Sequence, residues 1–227
     1  MKSLTNYIQE KLIIKKSKKV DYKYFPQTWD ELQNIIEQRI EQEGNEVDLN
    51  DIDVSNITDM SNLFEDTDFN GNISNWDVSN VTNMSNIFAG CNSFNQDISN
   101  WDVSNVKNMC SMFYDCEIFN QDISSLDVSN VTTMYSMFCG CKAFNRDISS
   151  WDVSKVTNMN AMFQECKAFN QNISNWDVSN VKDMSYMFDE CESFNQDISE
   201  WDVSNVRFSL FMFTNCPIEE KHKPKLK

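Results

Sequence analysis

The chain has 227 residues, 41% of them apolar and 12% aromatic, which is enough material for a buried core. Its net charge of −16 excludes nucleic acid or an anionic lipid surface as the main partner, because phosphate binding needs an excess of Lys and Arg. No run approaches the roughly 18 consecutive apolar residues of a membrane span, and "KLIIKK" near the start is too short an apolar core for a secretory leader, so a cytoplasmic or virion compartment is expected.

The charge is unevenly placed. Residues 1–27 form a basic arm with seven Lys against Glu10 and Asp21, about +5, leaving about −21 for the remainder. Within the arm, "SLTNYIQEKLII" predicts an amphipathic helix with Leu4, Ile8 and Leu12 on one face, a candidate interface that competes with a simple mobile tail. Residues 28–51 read as a capping segment. Thr28 and Glu31 make a capping box, Leu32, Ile35, Ile36 and Ile40 make one apolar stripe, and Gly44 stops the helix, with Trp29 packing at its start.

From residue 52 to 218 the chain repeats itself seven times, the first copy one residue short. Trp76, Trp101, Leu126, Trp151, Trp176 and Trp201 stand 25 apart, as do Cys91, Cys116, Cys141, Cys166, Cys191 and Cys216. Ile98, Trp101 and Val103 have the L-x-x-L-x-L spacing of a leucine-rich-repeat strand, and the steps from Val106 through Met109, Met112, Phe113 and Cys116 fit a helical stripe. The expected fold is therefore an α/β repeat solenoid with one short parallel strand and one helix per 25-residue turn and a helical N-terminal cap. No unit can bury both stripes alone, so neighbours must stack. The Met, Phe and Cys columns are read as core, the thiols reduced, since no C-x-x-C spacing offers a metal site.

The units "DISNWDVSNVTNM…MF…C…FNQ" and the entry "EVDLNDIDVSNITDMSNLF" resemble the BspA-type leucine-rich-repeat surface proteins of bacteria over roughly residues 25–218. That resemblance implies a non-enzymatic adhesion or binding protein at the cell surface.

The last unit departs from the pattern. Phe208, Leu210 and Phe211 replace Asp183, Ser185 and Tyr186, as a terminal cap or as a contact patch, and residues 219–227 follow as a polar tail. Asp77, Asp102, Asp127, Asp152, Asp177 and Asp202 form a column of candidate binding residues. Either the following Ser and Asn hold each carboxylate in an Asx turn that starts a helix, the preferred reading, or cations such as calcium or a basic partner neutralise them. Enzyme chemistry is not expected. His222 is the single His, every other polar group is repeated rather than convergent, and no phosphate-loop or EF-hand pattern occurs, so no cofactor or metal is assigned. The sequence thus points to a protein-binding or adhesion repeat protein, or to a structural component of a larger assembly such as a phage virion, docked by its basic arm.

Overall fold

The structure, a computed structural model, describes residues 21–226, so Leu4, Ile8 and Leu12 lie outside the described residues. Helix α1, Trp29–Glu43, is the single α-helix among them. Thr28 Oγ1 accepts from the Glu31 N–H at 3.2 Å, and Glu31 reaches back to the Gln27 N–H at 2.7 Å, so the box closes one residue early. Gly44, at φ 86°, ends the helix by donating to the Ile40 carbonyl. Leu32 and Ile36 are buried against the first coil.

Beyond α1 the repeats stack coil on coil, but they are not the α/β solenoid that the spacing predicts. No helix follows Val106 and no strand occupies 98–103. What joins the coils is a line of single-residue parallel bridges, Asp59–Asn83–Asn108–Thr133–Asn158–Asp183–Phe208, set two positions past the expected strand and helix boundary.

The reason lies in the ambiguity of a step of three. An i,i+3 β-turn brings residues three apart together just as a helix does. In the unit beginning at Trp101, the Val106, Met112, Tyr114, Cys116 and Phe119 N–H groups donate to the carbonyls of Val103, Met109, Ser111, Phe113 and Cys116, each three residues back. The apolar stripe is the set of corners of these turns. Between them, the N–H groups of Met109, Ser111, Phe113 and Asp115 point out of the coil and donate to Thr133, Tyr135, Met137 and Cys139 of the next one, at 2.7–3.2 Å. Ser111 and Asp115 accomplish this by adopting positive φ, 51° and 55°, which no α-helix permits. The same two columns are left-handed in every coil. One runs Asn62, Asn86, Ser111, Ser136, Ala161, Tyr186, Phe211 and the other Asp66, Gly90, Asp115, Gly140, Glu165, Glu190, Asn215.

The recurring residues are what such a coil needs in order to stack. Phe88, Phe113, Phe138, Phe163 and Phe188 form a file with ring centroids 5.5–5.7 Å apart, and a second file runs through Phe94, Phe119, Phe144, Phe169 and Phe194 at 5.9–6.1 Å. The Trp101, Trp151, Trp176 and Trp201 indoles donate to carbonyls of Ile73, Ile123, Ile148 and Ile173, one coil back. The Asn of each "FN" accepts the N–H of its successor: Asn95 on Asn70, Asn120 on Asn95, Asn145 on Asn120, Asn170 on Asn145 and Asn195 on Asn170. A buried backbone polar group needs a partner, and with no regular strand to supply it these side chains do.

The Cys column works in the same way. Cys91, Cys116, Cys141, Cys166 and Cys191 are fully buried, and each thiol donates to a Phe carbonyl of the preceding coil at 2.8–3.0 Å. Burial pushes the Cys91 thiol up to about 11 and Cys141 well above the ordinary range. In the native protein a thiol reagent at pH 8 is expected to reach Cys110, which is partly exposed, well before these five. Rapid titration of all five alongside Cys110 would show that the coils do not pack. Because a Ser hydroxyl inherits the Phe113 carbonyl as acceptor, Cys141→Ser should cost only about 1–2 kcal/mol, close to Cys141→Ala, in chemical denaturation.

At the far end, Ile218 is buried and Leu226 packs against the core, so residues 218–226, with their one 3-10 turn at Glu220–His222, cover part of the last coil. Phe208, Leu210 and Phe211 stay 58–65% exposed and do not fold over the stack's end.

Candidate binding surfaces

The Asp column lies on the outside of the stack, each residue exposed. Its oxygens are engaged locally. Asp77, Asp102, Asp127, Asp152, Asp177 and Asp202 each accept the N–H two residues on, at 3.0–3.1 Å, and Ser79 and Ser104 add hydroxyl bonds at 2.6 Å. The Ser104 hydroxyl and N–H hold the Asp102 carboxyl below the usual range, as Ser154 does for Asp152. These Asx turns open the Val103–Val106 type of corner and not a helix, which corrects that part of the sequence reading. The next residue ties the coils together: Asn80, Asn105, Asn130, Asn180 and Asn205 donate to the Ser carbonyl one coil back, and Lys155 instead reaches Asn130 Oδ1 at 2.6 Å. Among the described residues no three Asp, Glu, Cys or His converge as a metal would require. Millimolar calcium is therefore expected to leave the melting temperature within about one degree, whereas a specific native-state site filled a hundredfold over its Kd would add about 2.7 kcal/mol and shift it by several degrees.

The polar cavity of about 410 Å³ beside α1 is likewise committed. Arg39 lines it, buried, bonded to Asp51 at 2.9 Å and to the Asp48 carbonyl at 3.0 Å, and paired with Glu43. Lys23 adds a second cation to Asp51, so that although burial opposes it, the Arg39 and Lys23 bonds hold Asp51 below the usual carboxylate range. The cluster joins α1 to the first coil.

The sequence reading passed over the positions where otherwise matching units differ. One such column reads Glu65, Ala89, Tyr114, Cys139, Gln164, Asp189, Thr214, and a neighbouring one reads Ser61, Ser85, Cys110, Tyr135, Asn160, Ser185, Leu210. These residues sit on the turn ladder and form its variable ridge. Tyr114 and Tyr135 in these columns are 39% and 43% exposed, and Ile118 is 51% exposed, large apolar groups open to solvent. The neighbouring Asp115 first of all, then Cys139, burial, Glu165 and Tyr135, push the Tyr114 phenol up. Apart from this ridge, at the C-terminal end, the Tyr186 ring stacks on Phe211 with centroids 5.4 Å apart, and Phe208 and Leu210 are exposed there. Comparing the seven units column by column is the signal that would have found the ridge.

Among the described residues no helix is long and apolar enough to cross a membrane. No curated protein and no solved structure matches this sequence. A family described as "Mycoplasma protein of unknown function, DUF285" matches residues 31–148 and again residues 121–223, two overlapping spans that take in both α1 and the repeats. Together these spans cover most of the chain, and the chain belongs to DUF285.

Proposed function

We propose that this is a non-enzymatic protein-binding repeat protein, serving adhesion or partner recognition in the manner its BspA-type resemblance implies, and that the variable ridge is its recognition surface. One observation carries the reading: the exposed Tyr114, Ile118 and Tyr135 occupy positions at which the units differ, while the uniform positions are consumed in holding coil to coil. Tyrosine suits such a surface, presenting a rigid apolar body with one polar tip. The test is to place a photocrosslinking residue at Tyr114 and, separately, at the uniform Asn105, and to expose intact cells to each protein. Crosslinks to one defined protein from the Tyr114 position, weakened about tenfold or more by Tyr135→Ser with an unchanged melting temperature, are expected. Equal crosslinking from Asn105 would remove the ridge from consideration.

The opposed charges of residues 1–27 and the body favour a second reading, a structural component of a larger assembly docked through the arm. Deleting residues 1–27 would then abolish incorporation into the assembly and leave cell binding through the ridge intact.

A further inference from the structure

The turn ladder has a direction. In every coil the forward-pointing N–H groups form rows that continue through the stack, as in Met109 to Thr133, Met134 to Asn158, Met159 to Asp183 and Met184 to Phe208. Four such rows run forward along the ladder, while the row through the N–H groups of Thr82, Lys107, Thr132, Thr157, Lys182 and Arg207 points the other way, as do the "FN" Asn N–H groups and those of Ala143 and Ala168 elsewhere on the coil. Peptide dipoles aligned head to tail leave unmet carbonyls at one end and unmet N–H groups at the other, as they do in a helix. The carbonyl end lies under α1, where the Trp29 indole donates to the Ser61 carbonyl at 2.9 Å. At the opposite end Ser209, Phe211, Phe213 and Asn215 occupy the donor positions, and none of these four N–H groups has a hydrogen-bond partner among the described residues. Phe208, Leu210 and Phe211 stand exposed beside that row, while Ile218 and Leu226 pack on the core and Lys223 Nζ lies 5.5 Å from the Phe213 ring centroid.

We propose that this open end docks a protein chain offering a row of free backbone carbonyls in the register of the repeat, which the uncovered carbonyl end of another 25-residue repeat stack supplies, and that Phe208, Leu210 and Phe211 are buried in the joint. The inference narrows the class of partner proposed above and rests on that protein-binding reading, though on a different surface. Other occupants fit worse. Two copies meeting through this end would set donors against donors, and in head-to-tail stacking the incoming row would meet Trp29 of α1, which already takes the Ser61 carbonyl. Residues 1–20, with six Lys against Glu10, would bring positive charge to an end that already carries the row of N–H groups together with Arg207, Lys223 there being paired with Glu220. An acidic repeat coil brings both the carbonyls and the complementary charge, and main-chain pairing of this kind is a familiar route to affinity.

The probe is a synthetic peptide of residues 156–170, the segment whose carbonyls at Asn158, Asn160, Met162 and Gln164 accept from the coil before it. Amide exchange is followed by NMR on the full chain. The Ser209, Phe211, Phe213 and Asn215 amides are expected to exchange freely alone and to slow about tenfold or more at millimolar peptide, with a scrambled peptide having no effect. The double variant Leu210→Lys, Phe211→Asn, the Asn chosen because it tolerates positive φ, should abolish the protection and keep the melting temperature. Tyr135→Ser should leave it unaltered, so failure at the end and failure at the ridge are separable. The proposal is overturned if the four amides are already protected in the monomer, if they become protected only as the protein dimerises, or if the peptide slows none of them.

Discussion

Phe138→Ala is expected to destabilise the protein by about 3–5 kcal/mol, among the largest effects any single side chain here can have. Phe138 is completely buried, and its ring meets Phe113 at 5.5 Å, Phe163 at 5.7 Å, Phe144 at 4.3 Å and Trp151 at 6.2 Å between centroids. The loss has two parts: removal of a large apolar surface from the core, and a cavity that neighbours on both sides cannot fill. Collapse is prevented because the coils are held at fixed spacing by the backbone rows, for example Phe138 N to Met162 O at 2.9 Å. In a stack, a fault at the centre interrupts contact between the halves, so it should cost more than the same change near an end. Phe213→Ala provides the comparison, since Phe213 is partly buried and has a file neighbour on one side only, Phe188 at 5.8 Å. Denaturant midpoints should rank Phe138→Ala clearly below Phe213→Ala. Equal losses would mean that the files of rings are not coupled from coil to coil.

How far the sequence reached depends on how local each signal is. The period, the Trp and Cys columns and the stacking of neighbours follow from residues 25 apart and required no knowledge of the backbone. Helix α1 was legible because Thr28, Glu31 and Gly44 act within a single turn of their own positions. The helix after Val106 was not there to be found, because Met109, Met112, Phe113 and Cys116 have the same spacing whether they line a helix or sit at the corners of successive turns. What distinguishes the two is the residue types between the apolar positions. The column Asp66, Gly90, Asp115, Gly140, Glu165, Glu190, Asn215 is Gly, Asp or Asn in five of seven coils, residue types that suit a left-handed site better than a helix interior.

The candidate surfaces divide along the same line. Phe208, Leu210 and Phe211 stood out in the sequence as apolar residues where the other units are polar, and they remain exposed. Whether they folded over the end could not be read, since that depends on residues 218–226, whose charged sequence hides that Ile218 and Leu226 pack on the core. Tyr114 and Tyr135 were missed because a repeat is naturally scanned for what recurs. The Asp column drew attention for the same reason, and its recurrence reflects the Asx turn that every coil requires.

Gly140→Val is expected to cost about 2–4 kcal/mol, and the companion substitutions show where that energy resides. Gly140 has φ +77°, where a β-branched residue is disfavoured by its own backbone, and its Cβ would also lie 2.0 Å from Asp115 Oδ1 and 3.2 Å from the Asp115 Cα. The first term is intrinsic and the second is crowding between coils. Asn should escape much of the first, because Asn215 holds the equivalent place at φ 52° and Asn tolerates this region better than Val. Crowding should be relieved from the other side by Asp115→Ala. Asp66 meets Gly90 in the same manner, its Oδ1 2.3 Å from where a Cβ would stand, so the alternation of Asp and Gly in successive coils is one packing solution used twice. Three measurements separate the terms: Gly140→Val should be the worst, Gly140→Asn milder by at least about 1 kcal/mol, and Asp115→Ala should recover part of either loss without abolishing the difference between them. If Val and Asn proved equally damaging, and both were fully rescued by Asp115→Ala, crowding alone would account for the glycine. If Val were tolerated outright, residue 140 would not hold a left-handed conformation, and the row of N–H groups that depends on it, Gly140 to the Gln164 carbonyl at 2.8 Å included, would have to be drawn differently.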